Sequence, residues 1–411
     1  MTTAAGEAPP GLAAAVPHVC LLAGEHSGDH MGAGLMTELI RRTGGKVRFS
    51  GIGGEEMHAV GSAYGFRSFF PMEELSIGGI IEIIPHIPGV LRRINETARR
   101  VRSLDPDIVI SIDSPAFAFR VGKKLKGCGP SLVHYVAPTV WAWRPRRARM
   151  IAGFLDHLLT IFPFEAPYFT KWGLDCTFIG HPVAEMGLDE GDGPAFRAAH
   201  GIAPTQPLLC VLPGSRHSEV RQLLPVYAEV LSGLREQIPD LAVVVPTVAT
   251  VEREVRAAAA TWPMPVIFTH DRAAKRDAFA ASDAALAASG TVTYELAIAG
   301  VPMVITYKLT LTSYVIIKLM TKIEYASVVN LILGRQVAPE FLQWNCTARR
   351  VVPALTRLLR DPEARRDQGR DLAQVARALG LGGPPSSRSA CDVVMRLLED
   401  RRTAAAGGQG A

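Results

Sequence analysis

Short apolar runs recur along this chain, and each run is followed by Gly, Ser or Pro and then by a helical pattern. The first set comprises HVCLLAG (18–24), DIVISID (107–113), SLVHYVAP (131–138), HLLTIFP (157–163) and CTFIG (176–180). Strands that are apolar on both faces and alternate with helices are typical of a parallel sheet covered by helices. The pattern therefore predicts an α/β fold, with a first parallel-sheet domain at residues 18–185.

The same pattern restarts after residue 206, so the sequence predicts a second parallel-sheet domain at 207–345. Its strands are LLCVLPG (208–214), LAVVVPT (241–247), MPVIFTH (264–270), AALAASG (284–290) and PMVITYK (302–308). The stretch at 186–206 is rich in Gly, Asp and Pro, and we predict a linker there with a short helix at FRAAHGI. We expect helices at 346–400 and disordered segments at 1–17 and 401–411.

Two such domains in tandem leave a central cleft between the carboxyl ends of their strands, where open α/β sheets bind ligands. The length of 411 residues exceeds what one hydrophobic core usually serves, in agreement with two domains. The net charge of +5 suits an anionic ligand or an anionic membrane surface. Clustered Lys and Arg with aromatic residues occur only at 141–149, so we expect no nucleic acid as a partner.

The cysteines and the N-terminal segment indicate a reducing compartment. The six Cys are scattered, without a C-x-x-C pair or the spacing of a zinc site. The N-terminal segment lacks a charged n-region and is interrupted by Pro9, Pro10 and Pro17, unlike an export signal. No stretch reaches the roughly 18 uninterrupted apolar residues of a spanning helix. We therefore expect a cytoplasmic protein.

The stretch AGEHSGDHMGAGLM (23–36) follows the first predicted strand and opens a helix. Its glycines permit a tight turn, and the helix start offers free backbone N–H groups. Glu25 and Asp29 would repel a bare phosphate, so a hydroxyl-rich ligand such as a sugar fits this loop better, with Ser27 as a further contact. The alternative is that Ser27 or Asp29 is only the helix N-cap.

VLPGSR (211–216) has the same position in the second predicted domain, and its chemistry favours an anion. Gly214 and Ser215 supply backbone and hydroxyl donors, and Arg216 can hold a diphosphate with its forked guanidinium. An arginine in the first turn of a helix is unfavourable for the helix dipole, which favours an anionic partner. The alternative is a surface salt bridge between Arg216 and Glu219.

A third loop, ASGTVTYELAIAGVPMV (288–304), places Ser289, Gly290 and Thr291 at a helix start. Glu295 follows where a carboxylate can accept from the two hydroxyls of a ribose, or can be the partner in a capping box. Phosphate donors in one loop and a hydroxyl-binding acid in the next together predict a nucleotide site.

Several motifs in this order resemble the lipid-A-disaccharide synthase family, over residues 18 to 345. They are AGEHSGD, GIGGEEM (51–57), MEELSIGGIIEIIP (72–85), HYVAPTVWAWRPRR (134–147), FPFE (162–165), FIGHP (178–182), LPGSR, ASGT-x-x-x-E and NLILGRQ-x-x-x-E-x-L-Q (330–343). The resemblance implies a glycosyltransferase of GT-B fold, in which two Rossmann-like domains face a central cleft.

The resemblance also implies a reaction in lipid A and lipopolysaccharide biosynthesis. The family transfers 2,3-diacylglucosamine from its UDP derivative to the 6-hydroxyl of 2,3-diacylglucosamine 1-phosphate (lipid X), giving a β-1,6-linked disaccharide and UDP. The donor bond is α, so the configuration inverts, which requires a base and stabilisation of the departing UDP. We expect no cofactor, and without an Asp-x-Asp motif we expect no metal ion.

Residue roles follow from the same resemblance. Asp113, at a strand end, matches the family's strand-end aspartate and is our candidate base, with an Asx turn to Ser114 as the alternative. Glu25 is the competing base or an acceptor ligand. Asn330 and Gln343 match polar positions of the family and are expected to complete the donor site, or else to satisfy buried backbone groups.

Acylated substrates imply contact with a bilayer. The Gly/Ile-rich segment 76–91 and the basic segment 92–102 are typical of an interfacial element, and 141–149 and 314–323 are further candidates. The alternative is a buried helix with a solvated basic face. We expect peripheral association with the cytoplasmic face of the inner membrane, and the resemblance implies a homodimer. The rival enzyme is a UDP-N-acetylglucosamine 2-epimerase of the same fold, which needs no acyl groove.

Overall fold

The computed structural model describes residues 16–75, 87–142, 146–310, 314 and 324–407. The strands are β1 (His18–Ala23), β2 (Arg48–Ile52), β3 (Ile108–Ile112), β4 (Ser131–Tyr135), β5 (His157–Thr160), β6 (Asp175–Phe178), β7 (Leu208–Leu212), β8 (Ala242–Pro246), β9 (Val266–Thr269), β10 (Ala284–Ala288), β11 (Met303–Tyr307) and β12 (Glu340–Leu342).

The α-helices alternate with these strands, as the sequence predicts. They are α1 (His26–Thr43), α2 (Glu55–Gly61), α3 (Ile87–Leu104), α4 (Pro115–Leu125), α5 (Arg146–Ala152), α6 (Pro167–Thr170), α7 (Gly193–Ala199), α8 (His217–Gln237), α9 (Glu252–Ala259), α10 (Arg272–Ala281), α11 (Thr291–Ile298), α12 (Val328–Leu333), α13 (Ala348–Arg360), α14 (Pro362–Ala378) and α15 (Ser386–Gly407).

The first sheet is six-stranded, in the order β2-β1-β3-β4-β5-β6. β1 pairs in parallel with β2 on one side and with β3 on the other, and Ala23 lies opposite Ile112. The order of the strands therefore reverses between β1 and β3. Open α/β sheets bind ligands at such a switch point, beyond the carboxyl ends of the strands.

The second sheet is also six-stranded, in the order β12-β11-β10-β7-β8-β9. Here β7 pairs in parallel with β8 and with β10, and Leu212 lies opposite Ala287. The order reverses between β7 and β10, so the loops that follow these two strands emerge side by side. The predicted fold class, two parallel-sheet α/β domains, is confirmed.

Burial on both faces explains why the strand sequences are continuously apolar. Every residue of β1, β3, β7 and β10 is buried. α8 packs over the second sheet, where the hydroxyl of its buried Tyr227 lies 2.7 Å from Thr306 Oγ1 of β11. Each fully buried Val or Leu contributes about 1.5–3 kcal/mol, so these strands form the most stable part of each unit.

The chain divides into two compact units. One comprises Met1–Pro138, Ile151–Leu159 and Ala390–Ala411, and the other comprises Thr139–Met150 and Thr160–Ser389. The predicted linker falls within the second unit and is folded: it contains α7, whose Arg197 donates hydrogen bonds to Ala281 O at 2.7 Å and to Asp283 Oδ2 at 2.9 Å. This segment is therefore a packed part of the second unit rather than a linker.

The C-terminal region also differs from the prediction. α15 continues to Gly407, so residues 401–407 are helical rather than disordered, because the run TAAA consists largely of the best helix former. From residue 390 onwards the chain belongs to the first unit. Arg42 lies 3.5 Å from Asp392, and Arg401 donates a hydrogen bond to Gly129 O.

Parts of the predicted membrane-facing segments, residues 76–86, 143–145 and 315–323, lie outside the described residues, as does 1–15 of the predicted N-terminal segment. Across the residues that the structure does describe, every helix is too short or too polar to cross a bilayer.

Candidate active-site loops

The first unit holds the predicted Asp113 in an unusual backbone conformation at its switch point. Asp113 and Ser114 follow β3 with φ values of 51° and 43°, so two consecutive non-glycine residues adopt the left-handed conformation. Such a conformation costs about 1–3 kcal/mol per residue and is typical of functional sites. The Asp113 N–H donates to Tyr135 O at 3.0 Å, which anchors the turn to β4.

Around Asp113 lie the polar residues of the β1–α1 loop. Asp113 Oδ1 accepts from its neighbour, Ser114 N, at 2.8 Å, and Ser27 Oγ donates to Asp113 Oδ2 at 3.5 Å. In an Asx turn the carboxylate would accept from the backbone two residues further on, so this contact with the adjacent N–H is a different one. The second carboxylate oxygen, Oδ2, faces the loop. Partial burial, and secondly the Asp113 carboxylate, raise the pKa of Glu25 above its usual value. The loop is therefore an acidic, hydroxyl-bearing site suited to a sugar.

Asp29 is placed differently from Glu25 and Ser27. Its side chain is buried, and its carboxylate accepts hydrogen bonds from the backbone N–H groups of Gly54, Glu56 and Met57 at 2.7, 3.0 and 3.2 Å. These groups begin α2, so Asp29 caps a helix other than its own. The structure thereby gives Asp29 a role in stability, and its predicted contact with substrate stays a prediction.

In the second unit, the β7–α8 loop leads into the long helix α8. Gly214 has φ 110°, and a Cβ there would be 2.9 Å from Glu219 Oε2 and 3.7 Å from Ala288 Cβ at the end of β10. Ser215 follows in the turn, and Arg216 is the N-cap residue of α8. The Arg216 side chain is 77% exposed, and its Nη1 donates to Glu219 Oε1 at 2.9 Å. The predicted salt bridge is therefore present, and it leaves most of the guanidinium exposed to solvent.

The β10–α11 loop lies beside it. Ser289 N donates to Thr306 O at 2.9 Å, and Gly290, with φ 154°, is the N-cap residue of α11, which begins at Thr291. Glu295 makes no capping box. It is buried, and its Oε2 accepts from Lys275 Nζ of α10 at 2.6 Å.

Asn330 and Gln343 are buried and hydrogen-bonded to backbone, as the alternative prediction has it. Asn330 Oδ1 accepts from Val337 N and Ala338 N at 2.7 and 2.9 Å, and its Nδ2 donates to Ala338 O and to Glu340 Oε1. Gln343 exchanges two hydrogen bonds with the backbone of Leu309, at 3.0 and 2.8 Å. Both side chains hold the segments that flank α12.

Two members of these sites were not predicted. Lys275, the partner of Glu295, is 20 residues away in sequence, and no local pattern indicates the pair. Ser114 is predicted only as a turn residue, although Asp and Ser in succession before Pro115 are a signal for an unusual turn. Among the described residues, no group of three or more His, Cys, Asp or Glu is arranged to hold a metal ion.

Comparison with known proteins shows the family to which the chain belongs. A family model described as Lipid-A-disaccharide synthetase matches residues 19–381. The chain belongs to the lipid-A-disaccharide synthetase family. Among its relatives, the lipid-A-disaccharide synthase of Rhodospirillum centenum is 48% identical over 95% of this chain and 97% of its own. That of Paramagnetospirillum magneticum is 44% identical over 92% and 97%.

Membership of the lipid-A-disaccharide synthetase family confirms the resemblance seen in the sequence. The chain is accordingly an enzyme, a glycosyltransferase of the hexosyltransferase kind that acts in lipid A biosynthesis. The family implies UDP-sugar and lipid X-type precursors as substrates. It also favours this activity over that of the rival epimerase.

Solved structures show the fold alone, because their sequence identity to the chain is low. UDP-GlcNAc 2-epimerase from Neisseria meningitidis, bound to UDP-GlcNAc, has a TM-score of 0.62 at 10% identity, over 92% of this chain and 100% of that chain. The glycotransferase of kitacinnamycin has a TM-score of 0.60 at 16% identity, over 93% and 99%. Both likenesses agree with a GT-B-like fold.

Proposed function

We propose that the chain transfers 2,3-diacylglucosamine from UDP-2,3-diacylglucosamine to the 6-hydroxyl of lipid X, with inversion, to give the β-1,6-linked lipid A disaccharide 1-phosphate and UDP. The observation that carries this proposal is the position of the predicted loops. Asp113 and Glu25 follow the two strands at the switch point of the first sheet. Arg216 and Gly290 follow those at the switch point of the second.

In the second unit the loops have the chemistry of a UDP site. The backbone N–H groups of Gly214, Ser215 and Thr291 lie at or before helix starts, where an anion is stabilised. The exposed Arg216 adds a full positive charge for the diphosphate. Glu295 Oε2 is bound by Lys275, and we propose that Oε1 accepts from the ribose hydroxyls.

In the first unit the loops have the chemistry of an acceptor site. Asp113 Oδ1 is held by Ser114 N–H, so Oδ2 is the oxygen that takes the proton from the attacking 6-hydroxyl. Ser27 and Glu25 bind the sugar hydroxyls beside it. Since the hydroxyl attacks the anomeric carbon directly and UDP leaves from the opposite side, inversion needs one base and no covalent intermediate.

The experiment measures UDP release from UDP-2,3-diacylglucosamine, with and without lipid X, in detergent, with and without EDTA. We expect release that requires lipid X and survives EDTA. Asp113→Asn keeps the size of the side chain and removes the base, so kcat should fall by at least about 100-fold. Asp105→Asn is the matched control, because Asp105 also has a positive φ, of 41°, but lies before β3 at the other end of the strand.

Two outcomes would contradict the proposal. UDP release without lipid X would point to hydrolysis or epimerisation instead of transfer, and conversion of UDP-N-acetylglucosamine to its 2-epimer would establish the rival activity. An α-linked product, read from the anomeric proton coupling, would contradict inversion. Equal loss of kcat in the Asp113 and Asp105 variants would show that Asp113 is not the base.

Peripheral association with the inner membrane belongs to the same proposal. On α3, Leu91 is 48% exposed, and the exposed Arg92 and Arg99 lie on the same helix. An apolar side chain beside cations suits an anionic bilayer surface. Sedimentation with anionic vesicles should weaken when both arginines become Glu and when salt is raised. Replacing the exposed Arg350 of α13 with Glu should leave sedimentation with the vesicles unchanged.

We also propose a homodimer, on the basis of the family resemblance. Within one chain, α15 packs on the first unit through the Arg42–Asp392 pair. Light scattering on the purified protein should give twice the mass of one chain. A mass of one chain at all concentrations tested would contradict the dimer.

A further inference from the structure

The FIGHP motif has no role in the function described so far, yet its histidine lies in a cluster of aromatic rings in the second unit. The His181 ring centroid is 5.1 Å from that of Phe162 and 4.8 Å from that of Tyr294. The backbone N–H of His181 donates to Leu379 O at 2.8 Å. The Phe162 and Tyr294 centroids are themselves 6.0 Å apart, so the three rings form one cluster, and His181 is held by two rings and by its backbone.

Hydrogen bonding fixes the tautomer of His181. Its Nδ1 accepts from the backbone N–H of Val183 at 3.0 Å, at the start of a short 3₁₀ helix, so Nδ1 carries no proton. Burial lowers the pKa of His181 to about 4, so the ring is neutral at physiological pH. The proton is consequently on Nε2, which donates no hydrogen bond within the part of the chain that the structure describes.

The neighbouring Tyr294 locates this donor relative to the β10–α11 loop. Tyr294 is in the first turn of α11, and helical side chains lean towards the N-terminus of their helix. The Tyr294 hydroxyl interacts with the side chain of Thr291, the first residue of α11. The ring of His181, tilted by 57° against that of Tyr294, thus lies against the N-terminal turn that follows Gly290.

We propose that the Nε2–H of His181 donates a hydrogen bond to a phosphate oxygen of the nucleoside diphosphate bound at the β10–α11 loop, an inference that rests on the donor site proposed above. A neutral donor with one fixed tautomer stabilises negative charge on a departing diphosphate without giving up its proton. The surrounding rings of Phe162 and Tyr294 keep this donor in one orientation.

Two isosteric variants separate this role from a purely structural one. In His181→Asn the side-chain amide reaches the position of Nδ1, so it keeps the acceptor for Val183 N–H and loses the Nε2 donor. In His181→Gln the amide nitrogen reaches the position of Nε2, so it keeps the donor and loses the acceptor. The measurements are the Kd for UDP by calorimetry and the Tm of each protein.

We expect the Asn variant to keep its Tm and to bind UDP about 10- to 100-fold more weakly than the wild type. The Gln variant should bind UDP within a few-fold of the wild type, although its Tm falls. Wild-type affinity in the Asn variant would overturn the proposal, as would weakening in both variants that follows their loss of Tm. Wild-type protein that fails to bind UDP would overturn the donor site itself, and the inference with it.

Discussion

Gly24 and Ser114 approach each other so closely that a Cβ on Gly24 would lie 2.4 Å from Ser114 Oγ and 2.8 Å from Ser114 Cβ. Gly24 directly follows β1, and Ser114 lies two residues after β3, the neighbouring strand. The turns that follow β1 and β3 at the switch point of the first sheet are therefore packed closely against each other. Asp113, directly before Ser114, depends on this contact for its position.

Replacing Gly24 with Ala should displace Ser114, because Ser114 Cβ cannot move away by a side-chain rotation. We expect the variant to lose about 1–3 kcal/mol of stability, as is usual for an added methyl in a packed site. We also expect kcat to fall by at least about 10-fold, since a shift of the base misaligns it with the acceptor hydroxyl. Thermal denaturation and steady-state kinetics measure the two effects.

Gly369→Ala is the matched control for that variant. Gly369 lies in α14, and a Cβ there would meet no atom within 4 Å. The same substitution should leave kcat unchanged and stabilise the helix by up to about 1 kcal/mol. If Gly24→Ala also left kcat unchanged, the contact with Ser114 would have no part in placing Asp113.

Glu25→Gln should change stability in a pH-dependent way. Because its pKa is raised in the folded state, Glu25 binds its proton more tightly there, and stability is lost as pH rises from the unfolded pKa, about 4.3, through the folded pKa. Gln does not ionise, so the variant does not lose stability as the pH rises. The variant should therefore have a higher Tm than the wild type at pH 7 and the same Tm well below pH 4.

The size of this effect should be below about 1 kcal/mol, because the residue is largely exposed and only its carboxylate is partly buried, so solvent screens the charge. The second cause of the pKa shift is the Asp113 carboxylate, so the effect should shrink in an Asp113→Asn background. A Tm difference that is the same at pH 4 and pH 7 would contradict the interaction between the two carboxylates.

Arg216→Ala tests the diphosphate loop. In the Arg216–Glu219 pair the Arg216 side chain is 77% exposed and the Glu219 side chain only 13%, so loss of the pair should change the free energy of unfolding by up to about 1 kcal/mol. The Kd for UDP should rise at least about 10-fold, because a charged donor to the diphosphate is removed. Arg221→Ala is the control, since Arg221 is similarly exposed on α8 and pairs with Glu254. Equal effects of the two variants on UDP binding would argue against a specific role for Arg216.

Local sequence patterns were sufficient for every described strand except β2 and β12, and for the loops that carry the site. Unbroken apolar runs identified β1, β3, β7 and β10, because burial on both faces leaves no polar positions. Parallel strands direct their carboxyl ends to one edge, so Asp113 and Arg216 were correctly placed at the ends of strands. The order of the strands, and hence the two switch points, depends on pairings between distant segments.

The sequence does not identify the hydrogen-bond partners of the polar residues in these loops. Asp29 resembles an N-cap of its own helix, but its partners are the N–H groups of Gly54, Glu56 and Met57. Asn330 matches a donor-site pattern, but all of its polar atoms are engaged within its own segment and with Glu340. A polar residue in a motif indicates that a hydrogen-bonding side chain is needed at that position. It does not show whether that side chain bonds to the substrate or to the protein backbone.

Asp29→Asn distinguishes these two possibilities directly. An amide in place of the carboxylate turns one acceptor into a donor that faces backbone N–H groups, so we expect a loss of about 1–3 kcal/mol in the free energy of unfolding. The KM for lipid X should stay within about 2-fold of the wild type in the folded variant. Asp392→Asn, which removes an exposed pair with Arg42, should cost no more than about 1 kcal/mol. A KM raised by 10-fold or more with an unchanged Tm would instead assign Asp29 to the acceptor, because only a residue that contacts substrate weakens binding without weakening the fold.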